Sequence, residues 1–154
     1  MMTLCCDVIQ TLRGKTLVTA ESLTGGGIGA ALTSVSGASA VYKGGIISYT
    51  NEIKHKLLGV PMEILKEYGA VSAPTAKAMA EGARKALEAD IAVSVTGLAG
   101  PGGDDYGNPV GTVFIGYSDE KGTSVKPCQF SGDRESIRNQ TIAEALQLIL
   151  DMQK

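Results

Sequence analysis

The chain has 154 residues, 44% of them hydrophobic, and a formal net charge of −2 with acidic and basic residues interspersed. This length predicts one domain over residues 1–154, large enough to fold without a cofactor or a disulfide. The charge distribution offers no basic stripe for nucleic acid. We find no long apolar run or secretory leader, so we expect a cytoplasmic protein without a membrane partner.

Three cysteines, Cys5, Cys6 and Cys128, form no C-x-x-C pair and are expected to be inert thiols in a reducing compartment. Apolar residues at helical spacing predict a first helix over 4–12, ended by Gly14. A β-branched run then predicts a strand from residue 16 that stops at Ser22. The next predicted elements are a helix over 23–34, a strand over 41–49 kinked at Gly44 and Gly45, a helix N-capped by Asn51, and a short helix over 61–68.

The second half of the chain predicts an amphipathic helix over 73–87 and a buried strand over 91–95. Strands over 110–117 and 123–130 form a predicted hairpin, and residues 131–134 cap a final helix. This order predicts an α/β fold, a three-layer α/β/α sandwich on a mixed, mostly parallel sheet of about five strands. Glycine-rich corners follow the first and third strands, so they meet at one end of the sheet if those strands are parallel neighbours.

A polar corner at Ser22 separates the first strand from a glycine-rich segment. Open α/β sheets bind ligands beyond the carboxyl ends of their strands, and the free N–H groups of a first helical turn suit an anion or a developing oxyanion. One interpretation makes Ser22 or Thr24 the N-cap of the next helix. Another makes Ser22 a nucleophile, which requires a base from elsewhere in the chain.

A third interpretation makes the corner a dinucleotide-binding loop, because Gly25, Gly27 and Ala30 fit the pattern G-x-G-x-x-A after a strand. That motif also requires an acidic residue at the end of the following strand to bind the ribose. No acid follows that strand before Glu52. The dinucleotide signal is therefore weak.

Two kinds of base are available to Ser22. His55 is the only histidine, but it lies in a lysine-rich helix, where histidine usually faces solvent. Lys54, early in that helix, can reach back toward Ser22, whereas Lys56 lies near the opposite face, although an exposed charge is the simpler interpretation of Lys54 alone. A lysine base needs its pKa lowered from about 10.4 to roughly 7, by desolvation or a neighbouring cation. Tyr49, at the end of the second strand, could relay the proton or orient the lysine.

A metal-dependent site is the other chemistry open to the sequence. Asp104 and Asp105 are ligands of the type that magnesium prefers, but beside Gly103 and Gly107 they are more simply a solvated turn. The cysteines lack ligand spacing and a single histidine is too few for a zinc centre. We therefore expect no metal and no cofactor.

Six segments, in this order, resemble the CinA C-terminal domain family, which includes stand-alone nicotinamide mononucleotide deamidases. The resemblance covers residues 4–150, and six ordered motifs are far more specific than a single glycine-rich loop. The segments are Thr19–Gly26, Ser48–Lys54, Gly69–Ser72, Thr96–Gly103, Pro109–Val113 and Phe130–Arg134.

The resemblance implies an amidohydrolase that converts nicotinamide mononucleotide and water into nicotinate mononucleotide and ammonia, in pyridine nucleotide salvage. It implies Ser22 as nucleophile, Lys54 as base and Tyr49 beside them, and it suggests a homodimer. Leu23 replaces a cysteine that some members carry. Longer members have an N-terminal pyrophosphatase-like domain, whose activity we do not expect here. The implied substrate-binding residues are Thr24, Gly25, Gly26, Asn51, Thr96, Gly97, Ala99, Gly100, Arg134 and Arg138.

The residues and the resemblance together predict one mechanism. Neutral Lys54, helped by Tyr49, takes the proton of Ser22 as its oxygen attacks the carboxamide carbon, while N–H groups of the glycine-rich corners stabilise the oxyanion. Arginine or helix N-terminal N–H groups bind the nucleotide phosphate. Two alternatives stay open: a regulatory module that binds the nucleotide without turnover, and a reductase that binds a dinucleotide at Gly25–Ala30.

Overall fold

A computed structural model describes residues 1–154 as six helices and five strands, with a short 3₁₀ turn at Ala38–Ala40. No helix in the chain is both long enough and apolar enough to cross a membrane. In chain order the elements are α1 (Met2–Thr11), β1 (Leu17–Glu21), α2 (Gly27–Thr33), β2 (Tyr42–Ile47), α3 (Asn51–Leu58), α4 (Met62–Tyr68), α5 (Ala73–Ala86), β3 (Ile91–Gly97), β4 (Thr112–Asp119), β5 (Gly122–Gln129) and α6 (Arg134–Asp151).

The strands form one mixed sheet in the order β2-β1-β3-β4-β5. β1 pairs in parallel with both β2 and β3, whereas β4 runs antiparallel to β3 and β5. The kink predicted in β2 is present as a register shift, because Leu17 and Val18 pair with Tyr42 and Gly44. The predicted five-stranded mixed sheet is confirmed, with two parallel and two antiparallel strand pairs in place of a parallel majority. The carboxyl ends of β2, β1 and β3 lie side by side.

Helices cover both faces of this sheet. α1, α2 and α6 pack together on one face, while α3, α4 and α5 pack on the other. Neighbouring residues of β1 enter different cores: Leu17 belongs to the cluster with α1, α2 and α6, and Val18 to the cluster with α3, α4 and α5. A strand buried on both faces is typical of parallel sheets with helices on each side, and the predicted three-layer sandwich is confirmed.

α2 begins at Gly27, four residues after its predicted start. Gly25 and Gly26 have φ values of +61° and +100°, in the left-handed region that favours glycine, so the chain turns before the helix starts. Gly26 occupies the N-cap position and has no side chain that could cap the helix. The interpretation of Ser22 or Thr24 as the N-cap is therefore wrong.

α3 also starts differently from the prediction. Thr50 is its N-cap, because the Thr50 hydroxyl accepts a hydrogen bond from the N–H of Ile53 at 3.3 Å. Asn51, predicted as the cap, is instead the first helical residue. At the other end of α3, the carbonyl of Leu58 lies so close to α5 that a Cβ at Gly82 would overlap its oxygen. α3 is therefore fixed at both ends.

Candidate active site

Ser22 follows the last residue of β1, between the ends of the two strands that pair with β1. Its N–H donates to the carbonyl of Val95 in β3 at 3.2 Å, and the N–H of Ser48, after β2, donates to the carbonyl of Glu21 at 2.7 Å. These bonds continue the parallel pairing just beyond the strands. Ser22 is only 7% exposed. The main-chain bonds to both neighbouring strands set its position in the sheet.

The side chain of Lys54 is buried beside this serine. Lys54 is 1% exposed, and its Nζ lies 3.0 Å from Ser22 Oγ. The amine also donates to the main-chain carbonyl of Ser48 at 2.6 Å and to that of Tyr49 at 3.3 Å. Its three hydrogen-bond partners are one hydroxyl and two carbonyls, and none of them is a carboxylate.

An uncharged amine can satisfy all three of these partners. A carbonyl oxygen only accepts hydrogen bonds, so the two carbonyls take two N–H groups of Lys54. The remaining tetrahedral direction of Nζ, toward Ser22, holds the lone pair when the amine is neutral. Burial disfavours the charged form and lowers the pKa of Lys54 from 10.5 to about 8. The pair can therefore move a proton from Ser22 Oγ to Lys54 Nζ.

The other two predicted bases lie away from Ser22. His55 is exposed, and its Nδ1 lies 2.8 Å from the carbonyl oxygen of Val60. Lys56 is also exposed, as expected for the opposite side of α3. Neither residue lines the cavity at Ser22.

Ser22 and Lys54 open into a cavity of about 560 Å³ at the carboxyl end of the parallel strands. Its volume lies within the range of sites for small molecules. The cavity brings together nine of the residues predicted for the site: Ser22, Tyr49, Asn51, Lys54, Thr96, Gly97, Ala99, Gly100 and Arg134. Lining residues that the sequence reasoning did not single out include Ala70, Val71, Leu98 and Tyr106.

Main-chain N–H groups are available at the cavity. Those of Leu23, Ala99 and Gly100 make no hydrogen bond within the chain, although all three residues line the cavity. By contrast, the hydroxyl of Thr96 is already used, because it donates to the carbonyl of Ala70 at 2.7 Å. Free N–H groups on both glycine-rich corners can stabilise an oxyanion that forms at Ser22.

Arg134, the first residue of α6, reaches the rim of the same cavity. Its Nη1 donates to the carbonyl of Gly100 at 2.6 Å, and its Nη2 to the hydroxyl of Tyr49 at 3.3 Å. Tyr49 thus touches Lys54 through its carbonyl and Arg134 through its phenol. The guanidinium keeps further N–H groups for an anionic part of a ligand.

Four of the predicted substrate-binding residues lie outside the cavity lining: Thr24, Gly25, Gly26 and Arg138. The Arg138 Nε donates to the carbonyl of Leu23 at 2.9 Å, and its Nη2 to that of Thr24 at 3.2 Å. Arg138 therefore holds the turn that follows Ser22.

Glu21 is a site residue that the sequence reasoning missed. Its carboxylate is 2% exposed and accepts hydrogen bonds from the first-turn N–H groups of α2, Ile28 at 2.9 Å and Gly29 at 3.1 Å. The position where a dinucleotide-binding loop would hold phosphate is thus occupied by a side chain of the protein itself. The signal in the sequence was an acidic residue that ends a buried strand just before the corner.

The loop after β3 forms the outer wall of the cavity. The Asp104 carboxylate accepts hydrogen bonds from the N–H groups of Tyr106 at 3.1 Å and Asn108 at 3.0 Å, and from the Asn108 side chain at 2.8 Å. Asp104 therefore organises the turn. The Tyr106 hydroxyl fastens the loop to the end of α4 by donating to the carbonyl of Lys66 at 2.7 Å.

Comparison with known proteins places this site in a family. A CinA-like protein of Geobacter sulfurreducens is 49% identical over 134 residues, which are 87% of this chain and 32% of the relative. A putative competence-damage inducible protein of Acetivibrio thermocellus is 48% identical over 134 residues, again 87% of this chain and 32% of the relative. The chain thus spans about a third of the length of these curated relatives.

Solved structures agree with this placement. A competence-damaged protein (CinA) superfamily protein from Klebsiella pneumoniae superimposes with a TM-score of 0.96 at 32% identity, over 99% of this chain and 96% of that one. A competence/damage inducible protein from Agrobacterium tumefaciens gives 0.95 at 38% identity, over 99% and 95%. The family model described as CinA C-terminal domain matches residues 3–153. The chain therefore belongs to the CinA C-terminal domain family.

Proposed function

We propose that this chain hydrolyses the carboxamide of nicotinamide mononucleotide to nicotinate mononucleotide and ammonia. The observation that carries the proposal is the buried Lys54 amine, 3.0 Å from Ser22 Oγ and bonded otherwise only to carbonyls. This arrangement suits amide hydrolysis through an acyl-enzyme, because a serine becomes nucleophilic when a neutral base accepts its proton. The substrate itself follows from the family resemblance of the sequence motifs.

In the first half of the reaction, Ser22 Oγ attacks the carboxamide carbon and its proton passes to Lys54 Nζ. The carbonyl oxygen becomes an oxyanion that the N–H groups of Leu23, Ala99 or Gly100 stabilise, each worth roughly 3 to 4 kcal/mol in well-studied hydrolases. The carbon–nitrogen bond then breaks, and Lys54 returns its proton to the departing nitrogen. Ammonia leaves, and an ester of Ser22 remains.

Water completes the reaction by the same route. Lys54 takes a proton from the attacking water, and the ester carbon forms a second oxyanion in the same place. When that intermediate collapses, Ser22 Oγ leaves and recovers its proton from Lys54, while nicotinate mononucleotide is released. We assign the nucleotide phosphate to Arg134, whose guanidinium lies on the cavity rim and keeps free N–H groups.

Removal of either member of the pair should abolish activity. We expect Ser22→Ala and Lys54→Met each to lower ammonia release from nicotinamide mononucleotide by about 10⁴-fold or more, because each loses the nucleophile or its base. The control is Lys56→Ala, an exposed lysine two residues from Lys54, which should keep the parental rate. Ser22→Ala at the parental rate would overturn the mechanism. Nucleotide-dependent thermal stabilisation of the parent without ammonia release would identify a regulatory module instead.

The rate should depend on pH through the Lys54 amine. Because burial lowers the pKa of Lys54 to about 8 and only the neutral amine accepts a proton, kcat/KM should rise with pH and level off above about 8. Initial rates of ammonia release from about pH 6 to about pH 10 measure this profile. A profile that falls over this range would show that the required group is protonated and would exclude Lys54 as the base.

The same shift should appear in stability without any substrate. Between about pH 8 and 10.5 the folded chain holds a neutral amine while the unfolded chain binds the extra proton, so the free energy of unfolding rises with pH. The slope approaches about 1.4 kcal/mol per pH unit for one proton. We expect urea unfolding to show this excess slope in the parent relative to Lys54→Met. Equal slopes in the two proteins would mean that the Lys54 pKa is not lowered.

Tyr49 and Arg134 offer a test of how the substrate is held. The Tyr49 phenol contacts Arg134 and not Lys54, whereas its carbonyl, which Lys54 uses, survives substitution. We therefore expect Tyr49→Phe to raise KM more than it lowers kcat, and Arg134→Met to raise KM further by removing the charge that binds phosphate. Steady-state kinetics separate the two constants. A loss confined to kcat in Tyr49→Phe would make the phenol a proton relay.

A further inference from the structure

The carboxylate of Glu21 lies directly under the turn that carries Ser22, and the reaction described above gives it no part. It is buried and accepts four hydrogen bonds, two at each oxygen. Oε1 accepts from the Thr24 hydroxyl at 2.6 Å and the N–H of Ile28 at 2.9 Å. Oε2 accepts from the N–H of Gly29 at 3.1 Å and the Thr19 hydroxyl at 3.2 Å. An ionised carboxylate matches four donors because it only accepts.

We propose that Glu21 is the positioning residue of the nucleophile, tying the turn at Ser22 to the start of α2 and to the sheet. The inference rests on Ser22 being the nucleophile, as proposed above. Glu21 does not line the cavity, so it acts through main-chain geometry and touches no substrate.

The connections of Glu21 run in both directions from the turn. The carboxylate accepts a hydrogen bond from the hydroxyl of Thr24, two residues after Ser22. It also accepts from two N–H groups in the first turn of α2, which have no partner within the helix. On the sheet side, the Thr19 hydroxyl connects the carboxylate to the hydroxyl of Tyr42, which lies 2.8 Å from Thr19 Oγ1. A Cβ at Gly29 would lie 2.6 Å from that hydroxyl oxygen, so the network is closely packed.

Arg138 holds the same turn from the other side. Its guanidinium binds the carbonyls of Leu23 and Thr24, while Glu21 binds the Thr24 hydroxyl. The turn is therefore held by the Arg138 guanidinium, which binds two of its carbonyls, and by the Glu21 carboxylate, which binds one of its hydroxyls. In this arrangement the N–H of Leu23 makes no hydrogen bond within the chain, and Ser22 Oγ lies 3.0 Å from Lys54 Nζ.

Glu21→Gln is a test that keeps the size of the side chain. The amide nitrogen of glutamine donates, so it would oppose either Ile28 N–H or Gly29 N–H, and one main-chain donor must lose its acceptor. We expect kcat for ammonia release to fall roughly 10- to 100-fold, as for a misplaced reacting group, with KM almost unchanged. The pH midpoint of kcat/KM should stay where it is, because Lys54 is unaltered. A merely structural role would lower stability and leave kcat per folded molecule unchanged.

A second measurement separates this inference from the identity of the substrate. A fluorophosphonate reacts with an activated serine: the Oγ–phosphorus bond forms, fluoride leaves, and Lys54 takes the serine proton. We expect Glu21→Gln to be labelled at Ser22 roughly 10- to 100-fold more slowly than the parent. The control is Asp90→Asn, a structural carboxylate that binds the N–H of Thr16 at the other end of β1, and it should label at the parental rate.

The outcomes are distinct. Equal labelling of the parent and of Glu21→Gln overturns the positioning role while leaving Ser22 as the nucleophile. A shifted pH midpoint would make Glu21 part of the proton transfer and would also overturn it. Absence of labelling in the parent removes the nucleophile and this inference with it. If Glu21→Gln does not fold, Thr24→Val decides, because it removes only the hydroxyl that binds Glu21, and unchanged labelling there overturns the proposal.

Discussion

The candidate site depends on keeping an amine out of water beside a serine. Placing Lys54 there is unfavourable for its charged form, and a pKa lowered from 10.5 to about 8 corresponds to about 3 kcal/mol between the two protonation states. The carbonyls of Ser48 and Tyr49 compensate in part for lost hydration. Both precede Lys54 by only a few residues, so the turn between β2 and α3 holds the amine, and its one distant partner is Ser22.

The order of the sheet makes that one distant contact possible. β1 lies between β2 and β3, so the turn after it is flanked by the segment that leads to Lys54 and by the loop that contains Ala99. β4 then closes that loop from outside, because Leu98 donates to the carbonyl of Thr112 at 3.0 Å and accepts from the N–H of Gly111 at 2.8 Å. Antiparallel pairing thereby fixes one wall of a cavity whose reactive residues come from the parallel part.

Much of the fold was predictable, because buried strands and amphipathic helices leave periodic patterns. Ser22 was recognisable as a polar residue just beyond the end of a strand, whereas Lys54, in the first turn of α3, was singled out over an exposed charge only by the ordered motifs that resemble the family. The start of α2 was not predictable, because its cap comes from Glu21 in the preceding strand and capping patterns consider only residues at the helix itself. Tyr49 was expected beside Lys54, but the atom that makes the contact was not predictable, because it is the main-chain carbonyl, which every residue has, and not the phenol.

Arg138 and Lys54 both donate to main-chain carbonyls around Ser22, and their chemistry separates their roles. Arg138 binds the carbonyls of Leu23 and Thr24, and its guanidinium stays charged at every relevant pH, so it can hold the turn but cannot accept a proton. Lys54 donates two N–H groups to carbonyls, and the remaining direction of its Nζ, toward Ser22, holds either a lone pair or a proton. An arginine at this position could not accept the proton of Ser22, so the proposed mechanism requires an amine here.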